Sequence, residues 1–210
     1  MNKQDFIQKF QLQPLEPSSQ TFVFPSKLKE AAVLIALCEM NKGEVSNAEV
    51  VSDKAQDELS LSVVLTKRAS HLKHHAGQIS FPGGKVESSD ASKAETALRE
   101  AEEEIGLNRQ QVTVLGQLSD YHTVTGFNVT PVVGVISGDF DLSIDENEVA
   151  EVFTVPLKHF IDGDSHTKLP MYHRGHKHYV HFMPYQEHQI WGATAAIIAD
   201  LVAHLMPQPA

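Results

Sequence analysis

The chain has 210 residues, of which 41% are hydrophobic and 21% charged, an ordinary composition for a soluble globular protein with one substantial core. Its formal charge of −10 argues against a general nucleic-acid-binding surface. An anionic substrate remains compatible with that charge, because a metal ion and a local basic patch can reverse the field near a site.

The organisation expected from these bounds is a single domain over residues 1–210, with residues 1–27 as an N-terminal extension packed on it. The single cysteine, Cys38, excludes an intramolecular disulfide and fits a reducing compartment. No segment approaches about 18 consecutive apolar residues, and the N-terminus lacks a signal-peptide core. We therefore expect a cytoplasmic protein with no membrane contact and no nucleic-acid partner.

The first part of the chain predicts one short helix and two strands. The helix is expected at residues 4–10, followed by a connection rich in Pro and Ser. Residues 31–38 form a continuous apolar run that predicts a buried strand, and residues 59–67 predict a second strand. The polar residues 41–58 between them are expected to form an excursion. The apolar segment Phe22-Val23-Phe24 is compatible with a homodimer.

The next segment joins the turn Phe81-Pro82-Gly83-Gly84 to a helix. Ser92 and Glu95 have the spacing of a capping box, and Gly106 fits the left-handed position that closes a helix. The two glycines allow close backbone approach, so this loop can present a carbonyl to a metal or amides to a phosphate.

The last turn and a half of this helix carries Glu100, Glu103 and Glu104 within about 100° of one another, away from its apolar face. Like charges at this spacing, close to the negative end of the helix dipole, destabilise a helix. A divalent cation would compensate, and carboxylate oxygens suit Mg²⁺ or Mn²⁺. The alternative interpretation is a solvated acidic helix end.

The remainder of the chain adds strands and one closing helix. Strands are predicted at residues 112–118, 129–136 and 151–155, with Pro131 arguing against a central position for the second. Residues 168–172 and 177–182 flank a hairpin turn, and residues 193–205 predict an apolar helix. The hairpin histidines (His173, His176, His178 and His181) are not expected to bind zinc, because alternate residues of a strand point to opposite faces. Trp191 is expected to pack at the start of the last helix, with an adenine contact as the alternative.

The acidic helix resembles the Nudix box, whose pattern is Gly, five residues, Glu, seven residues, then Arg-Glu-apolar-x-Glu-Glu-x-Gly-apolar. The second half matches at every specified place from Arg99 to Leu107. The first half departs in two ways: the sixth residue after Gly84 is Asp90 rather than Glu, and Arg99 lies one residue further along than the pattern has it. Asp90 is therefore open between a role in the box and a simple helix-start residue.

The residues before the box are similar to the signature of the coenzyme A pyrophosphatase subgroup. That signature reads Leu-Leu-Thr-x-Arg-Ser/Ala, three residues, Arg, three residues, Gly, three residues, Phe-Pro-Gly-Gly. The chain keeps every spacing from residue 64 to residue 84, with Val64 for the first Leu and Lys73 for the second Arg. Lys73 preserves the charge but not the planar fork of an arginine.

The resemblance implies an α/β fold, namely an α/β/α sandwich around a central mixed sheet, whereas periodicity alone gives only an α/β domain. It implies metal ligation by Glu100, Glu103 and Glu104, with the Gly83 carbonyl completing the shell, and a supporting role for Arg99. An ordinary i,i+4 ion pair is the alternative for Arg99. Substrate contacts are expected from Arg68, Lys73, Gly83 and Gly84.

The implied reaction is metal-dependent hydrolysis of the pyrophosphate bond of coenzyme A (CoA) or an acyl-CoA, with Mg²⁺ or Mn²⁺ as cofactor. The general base is open among Glu103, Glu104 and Glu148. ADP-ribose, a dinucleotide or another nucleoside diphosphate derivative is the alternative substrate class, since the box serves them all. A non-catalytic nucleotide-binding module is a third interpretation, which the three glutamates of the box argue against.

Overall fold

The secondary structure comes from a computed structural model that describes residues 1–15, 27–40, 60–138, 140–173 and 176–207. Its helices are α1 (Lys3–Leu12), α2 (Lys93–Ile105), α3 (Leu157–Asp162) and α4 (Gly192–Leu205), with a 3₁₀ turn at Arg109–Gln111. Its strands are β1 (Lys29–Met40), β2 (Ser60–Arg68), β3 (Ile79–Ser80), β4 (Gly83–Lys85), β5 (Val112–Gln117), β6 (Tyr121–His122), β7 (Phe127–Ile136), β8 (Val149–Pro156), β9 (Thr167–His173) and β10 (His176–Phe182). Each strand and helix expected over these ranges is present.

The central sheet is mixed, as expected for this fold class. Its main path runs β3-β2-β1-β7-β5, with β4 paired to β1, β6 to β7 and β8 to β2. β1 and β7 are parallel, whereas the other pairings of the sheet are antiparallel. β2 and β4 pair with different parts of the same edge of β1. These two strands therefore lie next to each other along that edge.

Strand β1 separates two apolar cores. Ile35 and Leu37 belong to the core that also contains residues of α1, α3 and α4. Leu34 and Ala36 belong to the core beneath α2. This alternation follows from the two-residue period of a strand, and it explains why the run is apolar at every position. Helices therefore cover both faces of the sheet, which confirms the α/β/α sandwich.

Pro131 lies inside the sheet, and the expectation that it would keep its strand from a central position was wrong. β7 runs between β1 and β5. The carbonyl of Pro131 accepts a hydrogen bond from the backbone N–H of Leu118 at 2.9 Å. The N–H and C=O groups of a strand residue point to the same side of the strand. The position of the missing N–H of Pro131 therefore faces Leu118, which lies between β5 and β6, and does not face β1. No ladder hydrogen bond with β1 is lost there.

Several other elements differ from the sequence prediction. Gly83 and Gly84 lie in strand β4 instead of a turn, and α3, β3 and β6 had not been predicted. In the hairpin, His173 pairs with His176, and the two residues between them lie outside the described ranges. Within the described ranges, no helix is long and apolar enough to cross a membrane.

The N-terminal helix packs on the domain through two aromatic side chains. Phe6 and Phe10 are buried, and His204 of α4 donates through Nε2 to the carbonyl of Phe10 at 2.9 Å. The segment Phe22–Phe24 and all of residues 41–58 lie outside the described ranges. The extension as a unit and the homodimer remain predictions.

Candidate active site

Helix α2 begins and ends where its capping residues require. Ser92 accepts a hydrogen bond from the backbone N–H of Glu95 through Oγ at 3.2 Å. Gly106 closes the helix in the left-handed conformation, with φ at 68°. The face that includes Ala97, Ala101 and Ile105 is buried, so the rotation of the helix on the sheet is fixed. The acidic face is thereby turned towards β4 and the end of β2.

The three box carboxylates do not share one environment. The side chain of Glu104 is only 4% exposed, that of Glu100 is partly buried, and that of Glu103 is 60% exposed. Glu100 and Glu104 line a cavity of about 1070 Å³, and Glu148 lines the same cavity. Glu103 accepts a hydrogen bond from Arg99 at 2.9 Å and does not line this cavity. The structure thus brings Glu148 to Glu100 and Glu104, while Glu103 turns to Arg99.

Glu104 is a buried carboxyl with few compensating partners. Its Oε2 accepts a hydrogen bond from the Gly83 backbone N–H at 3.2 Å, and its Oε1 lies 3.7 Å from Nη1 of Arg68. Burial raises the pKa of Glu104 to about 8, and the charges of Glu100 and Glu148 act in the same direction. The pKa of Glu100 is also raised, first by burial. To be ionised together, Glu100 and Glu104 therefore need more nearby positive charge than Arg68 supplies.

Arg99 is held by Asp90 in a two-point ion pair. Nε of Arg99 donates to Oδ1 of Asp90 at 3.0 Å, and Nη2 donates to Oδ2 at 3.1 Å. Asp90 also accepts from the hydroxyl of Thr96 at 2.8 Å and from the Glu87 backbone N–H at 2.9 Å. The hydrogen bonds from Arg99 hold the pKa of Asp90 well below its usual range. Both departures from the box pattern, the shorter acid and the displaced arginine, thus lie at the two ends of one ion pair.

The other groups of Arg99 connect the helix to the neighbouring strand. Its Nη1 donates to Glu100 at 3.0 Å as well as to Glu103, and its Nη2 donates to the carbonyl of Lys85 at 3.2 Å. The i,i+4 pair with Glu103 is therefore one part of a larger network. Through this network, Asp90 fixes an arginine that in turn orients the carboxylate of Glu100.

Replacing Asp90 with asparagine should lower the melting temperature by several degrees at neutral pH, since Arg99 loses a charged partner of matched geometry. The folded-state pKa of Asp90 is depressed, so its stabilising effect is present above the unfolded-state pKa of 3.8 and is progressively lost on acidification below it. The difference between the wild-type protein and Asp90→Asn should shrink as the pH falls through that value. Thermal melts across pH measure both effects.

Asp162→Asn is the matched control for this experiment, because Asp162 pairs with Lys158 in an exposed i,i+4 arrangement. It should leave the melting temperature nearly unchanged. Equal melting temperatures for the wild-type protein and Asp90→Asn at neutral pH would show that Asp90 does not anchor Arg99.

Strand β4 places the two glycines against the carboxylates. Gly83 pairs opposite Val33 of β1, between residues whose backbone groups bond to β1, so its own N–H and C=O point away from that strand. The N–H reaches Glu104, and the carbonyl is not used by the pairing with β1. A Cβ atom added at Gly84 would lie 2.4 Å from Cδ of Glu100. Glycine at position 84 therefore leaves the space that the Glu100 carboxylate occupies.

Only some of the basic residues before β4 line the cavity. Arg68 lines it, together with His74 and His75, whereas Lys73 does not. His75 has a positive φ of 57°, which is uncommon for a residue other than glycine, and its Nδ1 lies 2.7 Å from Oε1 of Gln78. Of the two predicted cationic contacts, only Arg68 lines the cavity.

The donor set fits a hard divalent cation that is completed by other oxygen ligands. Among the described residues, no three His, Cys, Asp or Glu side chains are arranged closely enough to hold a metal on their own. Mg²⁺, however, commonly uses one or two carboxylates together with substrate phosphates and water. Glu100 and Glu104 are buried to different degrees, both have a raised pKa, and both line a cavity open to a ligand. These properties fit a cation that is bound jointly with a phosphorylated substrate.

Comparison with known proteins gives a consistent family match. A family model described as the NUDIX domain matches residues 40–197. The protein named "Uncharacterized Nudix hydrolase NudL" of Enterobacter sp. (strain 638) is 38% identical over 205 residues, covering 98% of this chain and 95% of that protein. Its namesake in Citrobacter koseri is 36% identical with the same coverage. Among solved structures, the Nudix hydrolase RenU from M. smegmatis is 21% identical, with a TM-score of 0.48 over 71% of this chain and 83% of that one.

Proposed function

The chain belongs to the Nudix hydrolase family, and from this premise we propose that it hydrolyses the pyrophosphate bond of CoA or an acyl-CoA. The products would be adenosine 3′,5′-bisphosphate and 4′-phosphopantetheine or its acyl derivative. One observation carries the proposal. Arg68, Phe81, Gly83 and Gly84 of the CoA-type signature line the same cavity as Glu100 and Glu104 of the box.

The box carboxylates would hold the cofactor of this reaction. We assign Glu100 and Glu104 as protein ligands of Mg²⁺ or Mn²⁺, with the Gly83 carbonyl beside them. Glu103 would join this set only after leaving Arg99, to which it is hydrogen bonded at 2.9 Å. When bound, the cation supplies charge neutralisation on the diphosphate oxygens and lowers the pKa of a bound water.

The residues around the carboxylates would position the substrate. Arg68 is the cation nearest to Glu104, so its guanidinium can bind a diphosphate oxygen once the cation has neutralised that carboxylate. Gly83 and Gly84 line the same cavity, so their backbone groups can contact the diphosphate. Lys73 does not line the cavity, so a contact with substrate would require its side chain to turn inwards.

Glu148 is our candidate for the base that takes a proton from the attacking water. It lines the cavity, and its charge raises the pKa values of both Glu100 and Glu104. The backbone carbonyl of Glu148 accepts a hydrogen bond from the Ala69 N–H at 2.9 Å, which ties its loop to the end of β2 beside Arg68. An exposed carboxylate held beside the diphosphate site can accept a proton and release it to solvent.

Incubation of the purified protein with CoA and Mg²⁺ or Mn²⁺ should yield adenosine 3′,5′-bisphosphate and 4′-phosphopantetheine in equal amounts, as measured by chromatographic separation of the products. Omission of the metal should abolish product formation. In a substrate panel, kcat/KM for CoA or an acyl-CoA should exceed that for ADP-ribose and dinucleotides. Absence of adenosine 3′,5′-bisphosphate at high enzyme concentration would reject the CoA assignment.

A further inference from the structure

Trp191, the only tryptophan of the chain, is 42% exposed and lines the cavity beside the first residues of α4. Indole is a large apolar ring that soluble proteins bury extensively, so this degree of exposure inside a binding cavity requires an explanation. The proposed chemistry does not use Trp191. Its surroundings indicate which part of a substrate it would contact.

The indole is held in a fixed orientation by strand β10. Phe182 and Trp191 form an isolated antiparallel bridge, and their rings are stacked with centroids 6.2 Å apart and planes within 11°. Because side chains alternate along a strand, His178 and Val180 lie on the same face of β10 as Phe182. His178 and Val180 both line the cavity. Tyr179 and His181 of the same strand line it too, so this stretch of β10 and Trp191 together form one surface of the cavity, built largely from rings and apolar groups.

This surface is connected directly to the part of the cavity that contains Arg68. Thr194, at the start of α4, donates through Oγ1 to the carbonyl of Ile79 at 3.0 Å. Ile79 pairs with Lys67, the residue before Arg68. Only the two-residue strand β3 separates the start of α4 from the strand that ends at Arg68. A ligand whose diphosphate lies at Arg68 can therefore place one of its two ends against Trp191.

We propose that the exposed indole of Trp191 is the stacking platform for the purine base of the substrate, so that the pantetheine arm leaves the diphosphate in another direction. This inference rests on the proposed function, because it assigns one end of the same substrate. A purine is planar and has a π face, whereas pantetheine is a flexible chain of amides and methylene groups. Stacking between a base and an aromatic side chain stabilises binding in a way that a flexible chain cannot match.

The two products of the proposed reaction are separate probes for the two ends of the substrate. Adenosine 3′,5′-bisphosphate should quench the fluorescence of Trp191 in wild-type protein kept free of metal with EDTA, whereas 4′-phosphopantetheine should not. Excitation at the red edge of the indole band avoids absorption by adenine. Because this binding assay needs neither metal nor turnover, it is independent of the catalytic assay.

Calorimetric titration of two variants tests the platform. Trp191→Leu should weaken binding of adenosine 3′,5′-bisphosphate about tenfold or more, whereas Trp191→Phe should bind it within a few-fold of the wild-type protein. The matched control is Tyr172→Leu: Tyr172 is an aromatic residue of the same hairpin that is 74% exposed and does not line the cavity. That variant should bind like the wild-type protein.

Unchanged affinity of Trp191→Leu for adenosine 3′,5′-bisphosphate would overturn the proposal, as would dependence of 4′-phosphopantetheine binding on Trp191. Should Trp191→Leu fail to fold, the absence of quenching in the wild-type protein by the adenosine product would overturn it equally. The proposed function fails separately. A protein that cleaves CoA without involving Trp191 rejects the platform alone, and one that binds the adenosine product through Trp191 without cleaving CoA supports the platform while rejecting the CoA assignment.

Discussion

Glu104→Gln should lose at least about a hundredfold in kcat and at the same time melt at a higher temperature than the wild-type protein in metal-free buffer above about pH 8. Loss of activity is expected because glutamine cannot supply the anionic oxygen that we assign to the metal. The gain in stability is expected because Glu104 is buried, and its ionised form has only the Gly83 N–H and the more distant Arg68 as partners.

The dependence on pH follows from the direction of the shift. In the unfolded chain a glutamate titrates at its ordinary value of 4.5, whereas burial raises the pKa of Glu104 to about 8 in the folded state. Below the lower value both states are protonated, and the residue has no differential effect. Between the two values the unfolded state loses its proton while the folded state keeps it, so the stability of the wild-type protein falls as the pH rises. Above the higher value both states are ionised, and the full cost of the buried charge, on the order of a few kcal/mol, remains. Glutamine does not titrate and avoids this loss.

The experiment combines thermal melts with and without Mg²⁺ and a turnover assay on the same samples. Mg²⁺ should raise the melting temperature of the wild-type protein and have little effect on Glu104→Gln, because a ligand stabilises the folded state in proportion to its binding. Glu102→Gln is the control, since Glu102 lies on the same helix but pairs with Arg109 at the surface. Undiminished turnover by Glu104→Gln would remove Glu104 from the site.

Gly84→Ala should reduce turnover by about tenfold to a hundredfold with little change in melting temperature. The added Cβ would lie 2.4 to 2.5 Å from the carboxylate atoms of Glu100, which are the nearest atoms around it. A flexible side chain can move away from such a contact at small cost to the fold. The movement displaces the Glu100 carboxylate from its place between Arg99 and the cavity, so the effect should appear in kcat.

Gly83→Ala is the informative counterpart because the atoms it meets belong to the backbone. Its Cβ would lie 2.5 Å from the carbonyl oxygen of Ala32 and 2.6 Å from the Cα of Val33, and φ at Gly83 is 156°. Strand β4 would have to separate from β1, so this variant should lose stability as well as activity. If Gly84→Ala instead destabilised the fold as much as Gly83→Ala, the neighbouring Glu100 carboxylate would not be the mobile element that we describe.

The parts of the fold that could be predicted are those governed by local chemistry. The start of α2 at Ser92 and its end at Gly106 depend on hydrogen bonds within a few residues, and both were placed correctly. The continuous apolar run in β1 predicted a buried strand, and β1 is buried on both faces. β4 could not be recognised in the same way, because Gly83-Gly84-Lys85 has the composition of a turn and becomes a strand only by pairing with a distant segment.

In the candidate site, too, some features could be predicted from the sequence, whereas others depend on the fold. A helical wheel places Glu103 beside Glu100 and Glu104, but it cannot show that Arg99 draws Glu103 away from the cavity. The proximity of Glu148 arises from the fold, since the forty residues 108–147 separate it from the end of the box at Leu107. Asp90 is an intermediate case: its departure from the box pattern was visible in the sequence, whereas its pairing with Arg99 required the structure.

The most direct test of the account is an anomalous difference map from crystals grown with Mn²⁺ and a non-hydrolysable CoA analogue. We expect a peak about 2.0–2.2 Å from carboxylate oxygens of both Glu100 and Glu104, in contact with the diphosphate and on the same side of the cavity as Arg68. A well-occupied Mn²⁺ ion bound elsewhere, or a diphosphate seated away from these two carboxylates, would contradict it.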